Sequence, residues 1–334
     1  MHRGSCNVQA YADDIKEFFM NVTIPSGFKI GHYQDDFTGV TVLLAPKGAT
    51  GGCDCRGGAP GTRETDLLKN EKMMQKINAV VLSGGSAYGL ASTCGVMEYL
   101  KSKGIGYKTM GKIVPIVCGA VLFDLNQKEY HYPTAEYGVK ACENADKNPV
   151  FGNIGAGRGA TVGKIRGLKN ACKSGIGAAT VKAMGVFVTA VVAVNAMGDV
   201  VDDCGNIIAG AKGKNGGFID TEKCLAEGDV AKLLLGTNTT IGCILTDAKL
   251  SKTDANRLAS ISHDGMARAI RPVHTQYDGD TMFCMASGLK PVANLTVLEC
   301  ATVRATQLAI QNAVSGCVEY TVVSDLEDDD WQCE

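Results

Sequence analysis

The sequence predicts a layered α/β (α+β) body in which sheets are covered by helices. Three observations point there. Several short runs are apolar and rich in β-branched residues on both faces, which suits strands covered on both sides. Between them lie segments whose apolar residues recur at the helical period. The third is glycine: with 41 glycines, 8 prolines and no low-complexity run, tight turns and close backbone packing are expected rather than disorder.

Along the chain, Ile77 to Leu82 reads as a short strand ending in Ser-Gly-Gly. From Ser86 onward, Ala87, Leu90, Ala91, Cys94, Met97 and Leu100 keep helical spacing, with Ser86 as the cap, Lys101 and Lys103 in the last turn and Gly104 closing the helix. Ala183 to Gly198 is the most apolar stretch. It is too short to span a bilayer, Thr189 and Asn195 interrupt it, and Val186 to Val194 reads as a core strand. Residues 211–230, rich in glycine and charge, read as an exposed, mobile connection. A buried-strand pattern then begins abruptly at Thr239 and runs through Thr246. Ser251 and Asp254 are spaced as a capping box for a helix reaching about Ile270. Thr281 to Ala286 reads as a strand. Pro291 to Val314 reads as a long apolar helix with proline in its first turn, and the acidic run 325–330 as a solvated end.

The chain is 45% hydrophobic, enough for a sizeable core, and its net charge of -2 gives no general pull toward nucleic acid or an anionic membrane. The N-terminal residues lack the apolar stretch of a signal peptide, so a cytoplasmic location is expected, and the N-x-[ST] sites at Asn21, Asn238 and Asn294 carry no glycosylation meaning. The 14 cysteines include no C-x-x-C pair. They read as reduced thiols acting as small buried apolar residues, and the one-residue spacing of Cys53 and Cys55 is unusual for two ligands of one tetrahedral metal.

Five places could carry chemistry. Gly155-Ala-Gly157-Arg-Gly159-Ala160 has the form of a dinucleotide loop, yet residues 147–198 contain no acid to hold a ribose, and the continuation to Gly163-Lys164 fails as a P-loop. The same acid-free stretch holds Lys147, Arg158, Lys164, Arg166, Lys169, Lys173 and Lys182, either a solvated basic face or the source of one buried lysine. Gly84-Gly-Ser86-Ala-Tyr88 sits where a nucleophile elbow would lie, but Tyr88 replaces the required glycine, and neither His263 nor His274 is tied to Ser86. Asp278-Gly-Asp280 is either an ordinary acidic turn or a pair of carboxylates that orients a nucleophile or holds an amine. Asn238-Thr239 gains interest from its context, a glycine-rich approach followed by an apolar strand. A threonine made N-terminal carries a hydroxyl nucleophile and, in its own amine, a base.

At these residues the chain resembles the DmpA family of self-processing aminopeptidases and amidases, which includes nylon-oligomer hydrolases and β-peptidyl aminopeptidases. The likeness runs from Gly27-Phe-Lys-Ile-Gly-His32 to the final helix. It is carried by Arg56-Gly-Gly-Ala-Pro-Gly-Thr-Arg-Glu-Thr-Asp-Leu67, Val81-Leu-Ser-Gly-Gly-Ser-Ala-Tyr-Gly89, Gly155-Ala-Gly-Arg-Gly-Ala-Thr-Val-Gly-Lys164, Ala193-Val-Asn-Ala-Met-Gly-Asp-Val200 and Arg268-Ala-Ile-Arg-Pro-Val-His-Thr275 leading into Asp278-Gly-Asp280. The resemblance implies a four-layer α-β-β-α sandwich of the N-terminal-nucleophile kind, shared with ornithine acetyltransferases. It implies one domain over residues 1–334, cut into 1–238 and 239–334, which stay associated. Thr239 would be the nucleophile, with Thr240 as the neighbouring alternative, Asn195 the oxyanion donor, Lys164 a lysine lining the site, and Asp278 and Asp280 the polar pair. The expected activity is hydrolysis of amide bonds in peptides, amino-acid amides or ω-amino-acid oligomers through an acyl-enzyme, without metal or organic cofactor. The expected partners are a small peptide or amide and further copies of the chain, with a tetramer as the size to test. Acyl transfer to an amine, and non-catalytic nucleotide binding at Gly155, are the alternatives.

Overall fold

The computed structural model describes residues 22–228 and 237–315. Nine strands join one sheet: β1 (Lys29–Gln34), β2 (Gly39–Cys55), β3 (Gly61–Arg63), β4 (Lys76–Ser83), β5 (Val117–Val121), β6 (Ile176–Ala183), β7 (Val186–Asn195), β8 (Thr239–Ala248) and β9 (Thr281–Lys290). Their order is β6-β7-β8-β9-β2-β4-β5-β3, with β1 also on β2. Neighbours are antiparallel except β8 with β9 and β4 with β5.

β2 is the strand that makes two layers out of one sheet. Its first part, Val40 to Leu44, pairs with β4 and β1, a register shift follows between Leu44 and Ala49, and Thr50 to Cys55 pairs with β9. Side chains alternate across each strand. On one face Leu43, Val80, Leu82, Val191, Ala193, Ile241, Cys243, Leu245, Phe283 and Met285 meet in a single core, which therefore lies between the two halves of the sheet. The opposite faces are covered by helices. Val40, Val42, Ala79 and Val81 pack against α1 (Ser92–Ser102) and α2 (Ala135–Glu143). Ala190, Val192, Ile244, Met282 and Cys284 pack against α4 (Lys252–Ala269) and α5 (Leu295–Val314). The layers run α-β-β-α, as expected.

Local readings hold where side-chain patterning decides the element. Ser251 and Asp254 form the full capping box of α4. Three readings change. Ser86 is not a cap: Gly85, at φ 79, precedes a 3-10 turn over Ser86–Ala91, and the α-helix begins only at Ser92. The last helix starts at Leu295 rather than at Pro291, because the Asn294 side chain accepts from Thr296 N and caps it there. Within the charged, glycine-rich stretch, Ala211–Lys212 and Phe218–Ile219 pair as a small hairpin and Asp220 caps a short helix, α3 (Thr221–Ala226). Residues 229–236, the acidic run and the first 21 residues lie outside the described ones. Cys118, Cys142, Cys172, Cys224, Cys243 and Cys284 are buried free thiols, as their apolar reading requires, while Cys55, Cys94, Cys204 and Cys300 are exposed. Among the described residues no helix is long and apolar enough to cross a membrane.

The inter-sheet core should outweigh any cap. Phe283 is fully buried there, so Phe283→Ala is expected to cost about 3–5 kcal/mol against about 1 kcal/mol for Ser251→Ala. Urea unfolding midpoints of the two variants measure the difference.

Candidate active site

The start of β8 is held on both sides. Thr239 is opposite Asn195 at the end of β7, and Asn238 bridges to Asp278 just ahead of β9. Alternation directs the Thr239 side chain to the same face as Ile241 and Cys243, toward the space between the sheets, and directs Thr240 toward the α4 and α5 layer. This separates the two candidate nucleophiles by face. The Thr239 hydroxyl donates to the Asn238 carbonyl, and the Gly279 N–H donates to the same oxygen at 2.9 Å. Gly279 must be glycine here, because a Cβ would stand 2.7 Å from Thr239 Oγ1 and 2.8 Å from the Ala59 carbonyl.

Asp278 and Asp280 are only 3% and 2% exposed, so the acidic turn is not a solvated one. Asp278 accepts from Thr275 N at 2.7 Å. Burial, reinforced by the charge of Asp280, pushes its carboxyl up to about 6. Asp280 Oδ1 accepts from Thr240 N at 2.7 Å. Its Oδ2 accepts from His274 N at 3.1 Å and pairs with His274 Nδ1 at 2.8 Å. The loop after β2 closes over this turn: Arg56 N and Gly57 N donate to the Asp280 carbonyl and Ala59 N to that of Asp278. The motif at residues 56–67 thus holds the Asp-Gly-Asp backbone.

Lys164 answers the question left by the basic stretch. It is 2% exposed, and its ammonium has three acceptors: the Asn195 carbonyl at 2.9 Å, Asn195 Oδ1 at 2.8 Å and the Thr237 carbonyl at 3.0 Å. Burial drives its pKa down to about 7, against the opposing charges of Asp278 and Asp124. Asn195 is equally well fixed. Its Oδ1 also accepts from Thr161 N at 3.1 Å, and its Nδ2 donates to Phe123 O at 2.8 Å and Thr237 O at 3.1 Å. The five expected site residues therefore lie around one strand end.

Other candidates fall elsewhere. Gly155 to Gly157 is a buried 3-10 turn rather than a phosphate loop, and a Cβ on Gly157 would stand 2.1 Å from the Ile176 nitrogen. Ser86, at φ 51, donates its N–H to the Leu122 carbonyl, and Gly85 N–H donates to Asp124 Oδ1 at 2.6 Å. Asp124 was marked by no motif spacing; complete burial pushes its carboxyl up to about 7. In the sequence alone His274 is tied to no partner. Its place six residues before Asp280, within one turn, was the signal for its actual partner. His263 lies against it, ring centroids 4.7 Å apart, and donates from Nε2 to the Asp54 carbonyl at 3.1 Å. Among the described residues, no three His, Cys, Asp or Glu side chains are grouped to hold a metal ion.

The family model for peptidase family S58 matches residues 23–326. The chain belongs to peptidase family S58. This is the family of the DmpA type, and the protein is accordingly a hydrolase. An uncharacterized aminopeptidase of Mycobacterium leprae (strain TN) is 41% identical over 296 residues, covering 80% of this chain and 78% of that protein. The 6-aminohexanoate-oligomer endohydrolase of Paenarthrobacter ureafaciens is 32% identical over 270 residues, covering 78% and 73%. Among solved structures, the L-aminopeptidase D-Ala-esterase/amidase of Ochrobactrum anthropi, described as a variant of the Ntn hydrolase fold, superposes with a TM-score of 0.68 at 17% identity over 93% of this chain and 94% of that one. That likeness is one of fold.

The crowding at Gly279 gives a direct test in this S58 enzyme. Gly279→Ala should leave far-UV circular dichroism unchanged while displacing the Thr239 hydroxyl, lowering hydrolytic kcat/KM by roughly a hundredfold.

Proposed function

We propose that the chain is an autoprocessing N-terminal-threonine amidase or aminopeptidase, cut between Asn238 and Thr239. The observation that carries the reading is the Asn238 carbonyl. It receives both the Thr239 hydroxyl and the Gly279 N–H, so the neighbouring nucleophile and a donor for developing negative charge converge on one peptide bond. In the first step Thr239 Oγ attacks the Asn238 carbonyl carbon, the C–N bond breaks, and the acyl group moves from nitrogen to oxygen. Water then hydrolyses the ester, releasing the Asn238 carboxylate and the Thr239 amine.

The freed amine is the base of the mature site. Asp280, through Thr240 N, holds the strand end that bears it. The Thr237 carbonyl supports the role of Asn195. In the intact chain that carbonyl occupies Asn195 Nδ2 and Lys164 Nζ. Once residues 237–238 withdraw, the same donors are open to the acyl oxygen of a substrate. Catalysis then runs through attack of Oγ on the amide, an oxyanion at Asn195, loss of the amine product and hydrolysis of the acyl-enzyme. Lys164, buried near the new amine, disfavours a second ammonium there and keeps the base neutral. The reading needs no cofactor, and residues 1–238 and 239–334 would remain together as one domain. Substrates are small peptides or amides. The relatives named for 6-aminohexanoate oligomers and for aminopeptidase activity place both ω-amino-acid oligomers and N-terminal residues among those to try. A cytoplasmic homo-oligomer remains part of this proposal.

Intact mass spectrometry should find two fragments divided after Asn238, and Thr239→Ala should give an uncut chain without hydrolytic activity. A cut, active Thr239→Ala protein would refute the assignment. The pH profile gives a second check. Acidification protonates the Thr239 amine, and over the same range Lys164 gains its proton as pH falls through about 7 and Asp278 as it falls through about 6, so the base and the charges around it change together. The kcat/KM of mature enzyme is expected to fall on acidification through that interval, and a profile flat across it would exclude control by these groups.

A further inference from the structure

Cys53 and Cys55 take no part in the site just described, yet they are arranged as a pair. They are two apart on β2, so their side chains leave the same face of the strand, and their sulfurs are 3.9 Å apart. Cys55 is exposed and Cys53 partly so. Both line a cleft of about 440 Å³ together with Asp54, Asp66, Lys69 and Asn256, which admits a small solute.

We propose that Cys53 and Cys55 form a redox-active dithiol which peroxide converts to a disulfide, reversibly shutting down the neighbouring hydrolytic site. Cys55 is the nucleophile of the pair. Its sulfur lies against the Cys53 sulfur and accepts from the Thr281 hydroxyl. The contact with Cys53 chiefly lowers the Cys55 pKa to about 7, despite partial burial and the nearby Asp54 charge, while Cys53 is pushed up. The Cys55 thiolate attacks one peroxide oxygen, the S–O bond forms, the O–O bond breaks, and the departing hydroxide takes a proton to become water. Cys53 sulfur then attacks the Cys55 sulfenic acid, forming S–S and breaking S–O, and a second water leaves with the Cys53 proton. Two thiols and one peroxide give one disulfide and two waters.

The coupling to the site runs along the sheet. Residues two apart on an extended strand have Cα atoms about 6.8 Å apart, the upper end of what a disulfide spans, so closure draws the strand together. Cys53 cannot yield easily, because its N–H is held at 2.9 Å by the Asn256 side chain of α4. The movement therefore falls on Cys55 and Arg56. Cys55 is paired with Thr281, which is paired with Ile241, two residues along β8 from Thr239. Arg56 N and Gly57 N are the donors that hold the Asp280 carbonyl.

The test uses the purified full-length protein as it is produced. After brief treatment with hydrogen peroxide, the peptide spanning residues 53–55 should be lighter by two hydrogens. Amide hydrolysis should fall by roughly tenfold, and dithiothreitol should restore both, while Cys55→Ser should keep its activity through the same treatment. Oxygen addition without the cross-link, a cross-link with unchanged activity, or equal loss in Cys55→Ser would each overturn the proposal. The inactivation rests on the proposed role of Thr239, whereas the peptide mass does not. A protein inactive before treatment would count against the nucleophile, with the peptide mass still deciding the dithiol.

Discussion

A backbone N–H that meets a carbonyl across a parallel pair of strands is ordinary sheet bonding, worth about 1 kcal/mol. At the mouth of β8 the same kind of bond has a second consequence. The Gly279 N–H reaches the carbonyl of Asn238, the residue immediately before the strand, and the threonine hydroxyl of the next residue is turned onto that oxygen. Nothing else can occupy the space, since even a methyl at Gly279 would collide with Thr239. The arrangement around it follows. The Asp-Gly-Asp turn must be buried to bring its central N–H there, and its carboxylates then need the partners they have in Thr275, Thr240 and His274.

Burying a lysine and two acids in one place is expensive unless each polar atom is satisfied. The lysine has three acceptors, and the Asn195 amide joins it to β7 and to the segment before β8. The shifts of Lys164 and Asp278 toward neutrality come from this desolvation. They leave groups whose charge changes near neutral pH around a hydroxyl, a physical setting suited to proton transfer.

Strands and their two covered faces were legible because residues such as Val186 to Val194 are apolar without alternation, and the capping box of α4 because its two side chains act locally. The four-layer order was legible only through family resemblance, since nothing in the β2 sequence announces that its two ends serve different layers. Pro291 misled the start of the last helix, where a single asparagine overrode it. At the site, Lys164, Asn195, Asp278 and Asp280 were recognisable as side chains. The Gly279 N–H and the Thr237 carbonyl were not, because backbone groups leave no mark in residue identity. Composition could not say which lysine of the acid-free stretch was buried. That follows from tertiary packing, in which the Gly163 N–H is bonded to the Gly198 carbonyl and the Lys164 N–H to the Met197 carbonyl.

The position of β8 in the interior of the sheet has a thermodynamic corollary. A bond opened at Thr239 would leave a free chain end flanked by β7 on one side and β9 on the other, so the pieces would be kept together by many ladder bonds and a shared apolar layer. Unfolding would then change molecularity. An uncut chain regains this strand by closing a loop on itself, but a nicked protein must recover it from a separate molecule, at a rate set by protein concentration. Maturation would act as a ratchet: the enzyme folds once as a monomolecular object and, if denatured in dilution, does not readily return.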